Sequence, residues 1–415
     1  MQSTVLPVLP VLPVLPVLPV LPETLAAAAH HAEMDEATVR RLSAAFAAVP
    51  DPRGRHGRRY DLPFLLTCLV AGLLCTCNST AAIGQWCAER RALRARSFPH
   101  QRHHTPTGAT VRWLLARLPA ASLEGALAAW VAATRPTRDR EPVAFDGKTV
   151  RGARHDGQPG PHLLSVSTHT TQETLIQVRV DTKTNEIPVA QALLPHLPLR
   201  GRVVTADALH TQTALAPVVI DHGGAYLLCV KGNQPRLHDD LAAHFAATPA
   251  VVLGAGATTT DRRRGRTETR TLHAVAGPIV AYLTRYWAFP HLGQVARLVR
   301  TVRDRKGTRT ETVYLITSLT PRQADPTRLL SLIRGHWSVE SRHWTRDVTF
   351  GEDRSRLRCG HGPQIMAALR NLALTLIHRA GITAIADYRR HLAIHPAIHP
   401  AKALRLIRPK AHSRR

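Results

Sequence analysis

Lysine is scarce in this sequence, and acidic residues are few relative to basic ones. Six of the 55 basic residues are lysines, the rest are arginines, and 29 Asp and Glu residues leave a formal net charge of +26. The base composition of a genome explains a preference for arginine over lysine, but it does not explain the shortage of acids. A charge this positive favours a polyanionic partner, of which nucleic acid is the first candidate.

Sequence features that mark several other protein classes are missing. The six cysteines form no Cys-x-x-Cys pair, so nothing in their spacing supports a zinc site. A Gly-x-Ser-x-Gly elbow and a Gly-x-x-x-x-Gly-Lys-[Ser/Thr] loop are also absent, which argues against a serine hydrolase and a P-loop ATPase. The apolar run at residues 64–77 is too short to span a bilayer, and no export signal is present. We therefore expect a cytoplasmic, nucleoid-associated protein without a membrane partner.

The N-terminal third divides into a leader and a helical region. Residues 5–22 repeat Val-Leu-Pro six times, and proline at every third position forbids a helix. We interpret residues 1–34 as a disordered, polyproline-II-like leader or as a translated upstream repeat, with Met34 as an alternative start. Short apolar helices with scattered arginines predict an all-helical domain over residues 35–135. This domain is either a DNA-binding unit or a bundle with solvated arginines.

Alternating strands and helices after a charged linker predict an α/β fold. Strands are expected over residues 142–146, 162–180 (two strands), 202–207 and 225–230. Residues rich in Thr, Val and Tyr, including Ile279–Arg285, predict a β-rich insertion. The expected divisions are a first part of the core over 141–250, the insertion over 251–325, C-terminal core helices over 326–385 and a basic tail over 386–415.

Two of the predicted strands end in an aspartate, Asp146 in one and Asp207 in the other. Strand ends are where sites form in open α/β sheets, and a divalent cation relieves the repulsion between two carboxylates held close together. Taken singly, an aspartate at a strand end is more often a turn former or a helix cap. The pair therefore points to a metal site without establishing one.

A third acid, Glu340, falls in a helix predicted over residues 326–350. At about 100° per residue, Arg342 and Arg346 fall on the side opposite Glu340. The residues predicted to share its face are Ile333, Trp337, Trp344 and Asp347. A carboxylate within such an apolar face is a metal ligand or the partner of a buried arginine, with Asp347 as the rival ligand. Three acids on two strands and a helix fit two-metal phosphoryl transfer with Mg²⁺, or Mn²⁺ in its place.

Seven short blocks keep a fixed order and spacing from about residue 39 to about residue 380. They are Asp51-Pro-Arg-x-x-x-Gly-Arg-Arg-Tyr, Phe145-Asp-Gly-Lys-Thr-Val-Arg-Gly, Asn185-Glu-Ile-Pro, Val204-Thr-Ala-Asp-Ala-Leu-His-Thr-Gln, Lys231-Gly-Asn-Gln-Pro, Arg334-Gly-His-Trp-Ser-Val-Glu and His343-Trp-x-x-Asp-Val-Thr-Phe-x-Glu-Asp. With these blocks the sequence resembles bacterial insertion-sequence transposases of the DDE class, in the H-repeat-associated (ISAs-type) subgroup.

The resemblance implies an RNase H-like catalytic core interrupted by a β-rich insertion. It maps the catalytic, metal-binding acids of the family onto Asp146, Asp207 and Glu340. Related transposases carry Tyr, Arg and Lys around the last acid, at positions where this sequence has Ile333, His336 and Asp347. Arg334 lies close enough to replace the missing arginine.

The resemblance also implies contacts with double-stranded DNA, both terminal inverted repeats and target. The DNA-contacting candidates are Lys148, Arg151, His210, Lys231, Asn233, Arg334, His336 and Arg342. For His336 and His343, packing within the fold remains the alternative to a DNA contact, and Trp337 is expected to pack.

The function expected from this resemblance is metal-dependent cleavage at terminal inverted repeats, followed by strand transfer. A homodimer or larger assembly is expected, because a transposase must pair two DNA ends. Two alternatives stay open. The first is a metal-dependent nuclease without strand transfer, and the second is an inactive remnant that binds DNA.

Overall fold

The computed structural model describes residues 36–89, 105–135, 140–180, 186–207, 214–263 and 265–394. The Val-Leu-Pro leader, His210 and the basic tail from residue 395 onward lie outside these residues. Within the described ranges, no single helix has the length and apolar character needed to cross a membrane. The bent pair 108–117 and 120–134 meets that test only when its two helices are taken together.

The described part of the chain before residue 136 is helical, as the sequence predicts. Its elements are α1 (Glu36–Ala47), a 3₁₀ turn (Arg55–Gly57), α2 (Leu62–Leu74), α3 (Thr80–Glu89), α4 (Gly108–Arg117) and α5 (Ala120–Thr134). The α2 helix is apolar on all sides and almost entirely buried, which is typical of a central helix. The α4 helix begins directly after Thr107, whose side chain accepts a hydrogen bond from the Thr110 amide.

A nine-stranded mixed sheet follows, with the strand order β3-β2-β1-β4-β5-β9-β8-β7-β6. The strands are β1 (Val143–Thr149), β2 (His162–Thr168), β3 (Thr174–Val180), β4 (Val203–Ala206), β5 (Ala225–Val230), β6 (Ala257–Arg263), β7 (Arg266–Val275), β8 (Gln294–Asp304) and β9 (Gly307–Thr317). The first three strands form an antiparallel meander, and β1, β4 and β5 run parallel. Because β9 pairs antiparallel with β5, the inserted strands extend the sheet of the core.

Helices cover the sheet and join it to the helical region. They are α6 (Glu186–Leu193), α7 (Leu215–Asp221), α8 (Pro235–Ala247), α9 (Ala250–Leu253), α10 (Pro278–Trp287), α11 (Pro326–Trp344), a π-helical turn (Thr345–Thr349), α12 (Gly362–Arg379) and α13 (Ile385–Ile394). The α12 helix is buried along nearly its whole length and packs against α2, α4, α5 and β3. One hydrophobic core therefore runs through the helical region and the sheet.

Two predictions of local structure are wrong. The segment Ile279–Arg285 belongs to α10 and not to a strand, because Pro278 occupies the first turn of the helix and the buried Ile279 and Leu283 are one turn apart. The predicted basic tail begins as helix α13, in which Arg389 is buried and donates to the Leu73 carbonyl.

Candidate active site

The two predicted aspartates lie side by side. The parallel pairing of β1 with β4 brings Phe145 opposite Ala206. The next residues, Asp146 and Asp207, therefore occupy neighbouring positions, with about 5 Å between the two backbones. Strand β1 continues to Thr149 along β2, so Asp146 lies within the strand and not at its end. Both side chains are partly exposed, and the sheet therefore presents two carboxylates at one edge.

The ring of His343 contacts the first of these carboxylates. Its Nε2 atom lies 3.1 Å from Oδ2 of Asp146. Burial, together with the nearby Arg346, Lys148 and Arg342 cations, lowers the pKa of His343 to about 2. The imidazole is therefore neutral at pH 7, and an Nε2–H group directed at Asp146 fixes the orientation of that carboxylate.

Lys148 is two residues beyond Asp146 on the same face of β1. It is buried, and its Nζ atom lies 2.7 Å from Oδ2 of Asp347 in the π-helical turn. The prediction that Lys148 contacts DNA is therefore corrected, because its ammonium group is directed at Asp347. Asp347, the rival ligand of the sequence analysis, thus holds this lysine.

Helix α11 is fixed against β1 and β4 by a buried polar cluster. The Thr205 hydroxyl donates to the Val143 carbonyl at 3.2 Å, and it lies 2.8 Å from His169 Nε2 and 3.1 Å from His336 Nδ1. A Cβ atom at Gly335 would lie 2.2 Å from the His169 ring, so only glycine permits this close approach. His336 is thus buried and packs within the fold, which is the alternative to a DNA contact that the sequence left open.

Glu340 lies on α11 between the two histidines that contact the sheet. It is four residues after His336 and three before His343, so it shares their side of the helix. Its side chain is exposed, which corrects the prediction that it lies within a buried apolar face. Trp344, one turn further on, is also 61% exposed.

Arg342 and Arg346, which the sequence places on the side of α11 opposite Glu340, are buried. Arg342 donates to Thr174 and, at 3.1 Å, to Asn371, so it contacts protein groups and not DNA. Burial, together with the neighbouring Arg346, lowers the pKa of Arg342 to about 9. The sequence pattern placed the wrong face inward because arginine is rarely buried without a partner.

The partner of Arg346 is Glu352, which is fully buried. The Arg346 Nη2 atom lies 2.7 Å from Glu352 Oε1, and Arg370 Nη1 lies 3.3 Å from Oε2. Burial acts to raise the pKa of Glu352, but Arg346 and Arg370 outweigh it and hold that pKa below its usual value. This network fixes the π-helical turn that carries Asp347.

The other DNA-contacting candidates are distributed unevenly. Lys231 and Asn233 are exposed just beyond β5, at the edge where Asp207 follows β4, and Arg151 is exposed just beyond β1. Arg334 lies away from this edge of the sheet, because its Nη2 atom is 3.0 Å from Oδ2 of Asp261 in strand β6. It therefore does not stand beside the acids as the sequence predicts.

The donor chemistry at this edge fits a divalent cation only in part. Asp146 and Asp207 supply hard carboxylate oxygens on adjacent strands, as Mg²⁺ prefers. Within the residues that the structure describes, however, no group of three or more His, Cys, Asp or Glu side chains is close enough to hold a metal ion. Glu340 lies on the side of α11 that carries His336 and His343, but it does not form such a group with the two aspartates.

Two contacts at the site were not predicted from the sequence, that of His343 with Asp146 and that of Lys148 with Asp347. His343 was left undecided between DNA and packing, although its position three residues after Glu340 signals that it shares the same face. Lys148 and Asp347 are 199 residues apart, so nothing in the sequence alone signals their ion pair.

Comparison with known families gives two matches that together cover most of the chain. The family described as "Transposase DDE domain" matches residues 137–376, more than half of the chain, and "DDE_Tnp_1-associated" matches residues 43–131. The boundary between the matches falls next to the linker between α5 and β1.

Two curated relatives are likewise named as transposases. "Putative transposase YncI" of Escherichia coli O157:H7 is 26% identical over 335 residues, covering 80% of this chain and 85% of the relative. "H repeat-associated putative transposase YhhI" of Escherichia coli strain K12 is 28% identical over 261 residues, covering 60% and 67%. Among solved structures, the piggyBac transposase synaptic complex with hairpin DNA gives a TM-score of 0.40 at 12% identity, covering 92% of this chain and 83% of that one.

Proposed function

Because the chain belongs to the transposase DDE domain family, we propose that it cuts DNA at the terminal inverted repeats of an insertion sequence and joins the freed 3′-hydroxyl to a target duplex. The observation that carries this proposal is the placement of Asp146 and Asp207 on adjacent parallel strands, with Glu340 on the facing helix. The antiparallel meander followed by two parallel strands supports an RNase H-like core that the inserted strands β6–β9 extend.

We assign Asp146, Asp207 and Glu340 as the catalytic acids that hold Mg²⁺ or Mn²⁺ when DNA is bound. A cation held there would supply Lewis-acid chemistry for the scissile phosphate and would lower the pKa of the attacking water or hydroxyl. His343 positions the Asp146 carboxylate from one side, and the pair of Lys148 with Asp347 fixes the end of β1 beside it.

DNA is held by the positive surface around these acids. Arg151, Lys231 and Asn233 are exposed at the same edge of the sheet and are proposed to contact phosphates. His210, which follows Asp207, lies outside the described residues and keeps its proposed role there. Each neutralised phosphate releases condensed counterions, so DNA affinity is expected to fall steeply with salt. We further propose that the protein pairs two DNA ends as a homodimer or larger assembly on nucleoid DNA.

The test is cleavage and joining of a labelled duplex that carries the terminal repeat from the flank of the gene itself. Products that require Mg²⁺, disappear with EDTA and are lost in Asp146→Ala and Glu340→Gln support the proposal. Glu340→Gln should retain DNA binding, because the exposed side chain contributes nothing to the core. Loss of binding in Glu340→Gln would instead mean a structural role for this acid.

A second candidate function is DNA binding without catalysis, as in a remnant that acts as a repressor. The observation that favours it is that no three acidic or histidine side chains converge on a metal position within the described ranges. Binding without products under every condition would support this reading. The remaining alternative is a nuclease without strand transfer. A DNA substrate with a precut end distinguishes it from a transposase, because such a nuclease cannot join that end to a new duplex.

A further inference from the structure

A cavity of about 440 Å³ opens where the helical region meets the segment that follows α11. Residues 78–80 at the start of α3 and Arg112 of α4 line one side. Val348 of the π-helical turn and the loop 354–357 line the other. The helical region and the segment that carries Asp347 thus share one concave surface.

Three arginines line this cavity, and none is neutralised by a carboxylate in the described part of the chain. Arg112, Arg354 and Arg356 are exposed, and the cavity wall contains no Asp or Glu. By contrast, Arg346 and Arg379 each form an ion pair with a buried glutamate. Uncompensated guanidinium groups around a concave surface favour an anion with several oxygens, and the planar guanidinium matches phosphate well.

Neutral donors complete the cavity. The Oδ1 atom of Asn78 accepts a hydrogen bond from Arg389 Nη2 at 2.8 Å, which leaves the amide NH₂ group on the side of Gly351 in the cavity wall. Ser79 caps α3 by accepting from the Ala82 amide, and the first amide groups of a helix have no partner within it. This end of α3 therefore adds N–H donors to the three cations.

The cavity lies close to the acids. Val348 is five residues after His343, whose ring contacts Asp146, and a rise of about 1.5 Å per residue gives roughly 7 Å along the axis. Trp344 is 61% exposed and Val348, four residues further along, is 58% exposed. Successive phosphates of one strand are about 3.4 Å apart along the duplex axis. A strand cut at Asp146 thus reaches the cavity within its first few nucleotides.

We infer that this cavity binds phosphodiester groups of the DNA strand that passes the acids, within a few nucleotides of the cut. The inference rests on the proposed function, since it takes DNA as the substrate. It gives the helical region a direct part in the active site, because Arg112 and the start of α3 hold the strand whose phosphate the sheet cleaves.

The first experiment compares the salt dependence of binding to the terminal-repeat duplex. The test variant carries Arg112→Gln, Arg354→Gln and Arg356→Gln together. The control carries Arg59→Gln, Arg305→Gln and Arg322→Gln, three exposed arginines without an ion pair in the described ranges and away from the cavity. The slope of log K against log salt should fall in magnitude by about 2–3 in the test variant, since each phosphate contact contributes about 0.9. An equal change in the control overturns the inference.

The second experiment changes the DNA and compares wild type with the test variant, and its wild-type arm does not depend on the folding of a variant. Single phosphates near the cut are replaced by neutral methylphosphonates, and the affinity is measured at each position. One or two positions should weaken binding in the wild-type protein and have no further effect in the test variant. A variant as sensitive as wild type at every position overturns the inference. If wild type binds DNA and shows this pattern but never cuts, the proposed catalysis is overturned, and phosphate binding by the cavity is supported.

Discussion

The Nζ atom of Lys148 lies 2.7 Å from Oδ2 of Asp347, and this ion pair joins strand β1 to the π-helical turn beyond α11. Lys148 is buried, and the second carboxylate oxygen of Asp347 is buried without a hydrogen-bond partner among the described residues. The pair thus fixes two elements that both contact the site, since Asp146 precedes Lys148 on β1 and His343 precedes Asp347.

We expect the substitutions Lys148→Met and Asp347→Asn each to lower the free energy of unfolding by about 1–3 kcal/mol, because each leaves a partly buried group without its partner. The double variant should lose less than the sum of the two, which urea unfolding measures directly. Strictly additive losses would mean that the pair contributes nothing. The salt slope of DNA binding should not change in Lys148→Met, whereas a phosphate contact by Lys148 would reduce it by about 1.

Replacing His343 should impair cleavage more than DNA binding. His343→Phe removes the N–H group next to Asp146 Oδ2 and keeps a ring in the same space. We expect cleavage of the terminal-repeat duplex to fall about 10–100-fold, as for other groups that orient a metal-binding side chain. His343→Gln, which keeps a donor, should recover part of the rate. Equal rates in all three proteins would show that Asp146 does not need this contact.

The sequence predicts the α/β fold and both aspartates because their evidence is local. A strand followed by an acid is visible in a few residues, and parallel pairing then brings Asp146 and Asp207 together. The orientation of α11 was predicted wrongly because burial was judged from side-chain polarity. Arg346 is buried only because Glu352, beyond the helix end, pairs with it. Such pairing depends on tertiary structure, which periodicity does not report.

Glu352 should be among the acids whose loss destabilises the protein most. It is fully buried and pairs with Arg346 and Arg370, so Glu352→Gln leaves two buried cations without a countercharge. We expect the free energy of unfolding to fall by about 3–5 kcal/mol, as when one partner of a buried ion pair is removed. The neighbouring exposed acid gives the control, since Asp353→Asn should change stability little. Chemical denaturation of both variants decides between a structural network and an incidental contact.

The last prediction concerns Glu124, which joins the helical region to the sheet. It lies on α5, is buried, and accepts hydrogen bonds from Gln177 of β3 at 2.6 Å and from Gln364 of α12 at 2.8 Å. Burial raises the pKa of this carboxyl to about 8, although both glutamines act to lower it. The folded protein therefore holds Glu124 protonated at pH 7, whereas the unfolded chain releases this proton near pH 4.5.

Between these two values the folded state binds one more proton than the unfolded state, so the contribution of Glu124 to stability is present below about pH 4.5 and is lost as the pH rises to about 8. The limiting slope is about 1.4 kcal/mol per pH unit. Glu124→Gln should abolish this dependence, and thermal unfolding at pH 6 and pH 8 should show wild type losing stability relative to the variant. Glu89→Gln, on the exposed surface of α3, is the control and should follow wild type. If the stabilities of wild type and Glu124→Gln change equally with pH, Glu124 is ionised in the folded protein. A charged carboxylate would then lie where the helical region contacts the sheet.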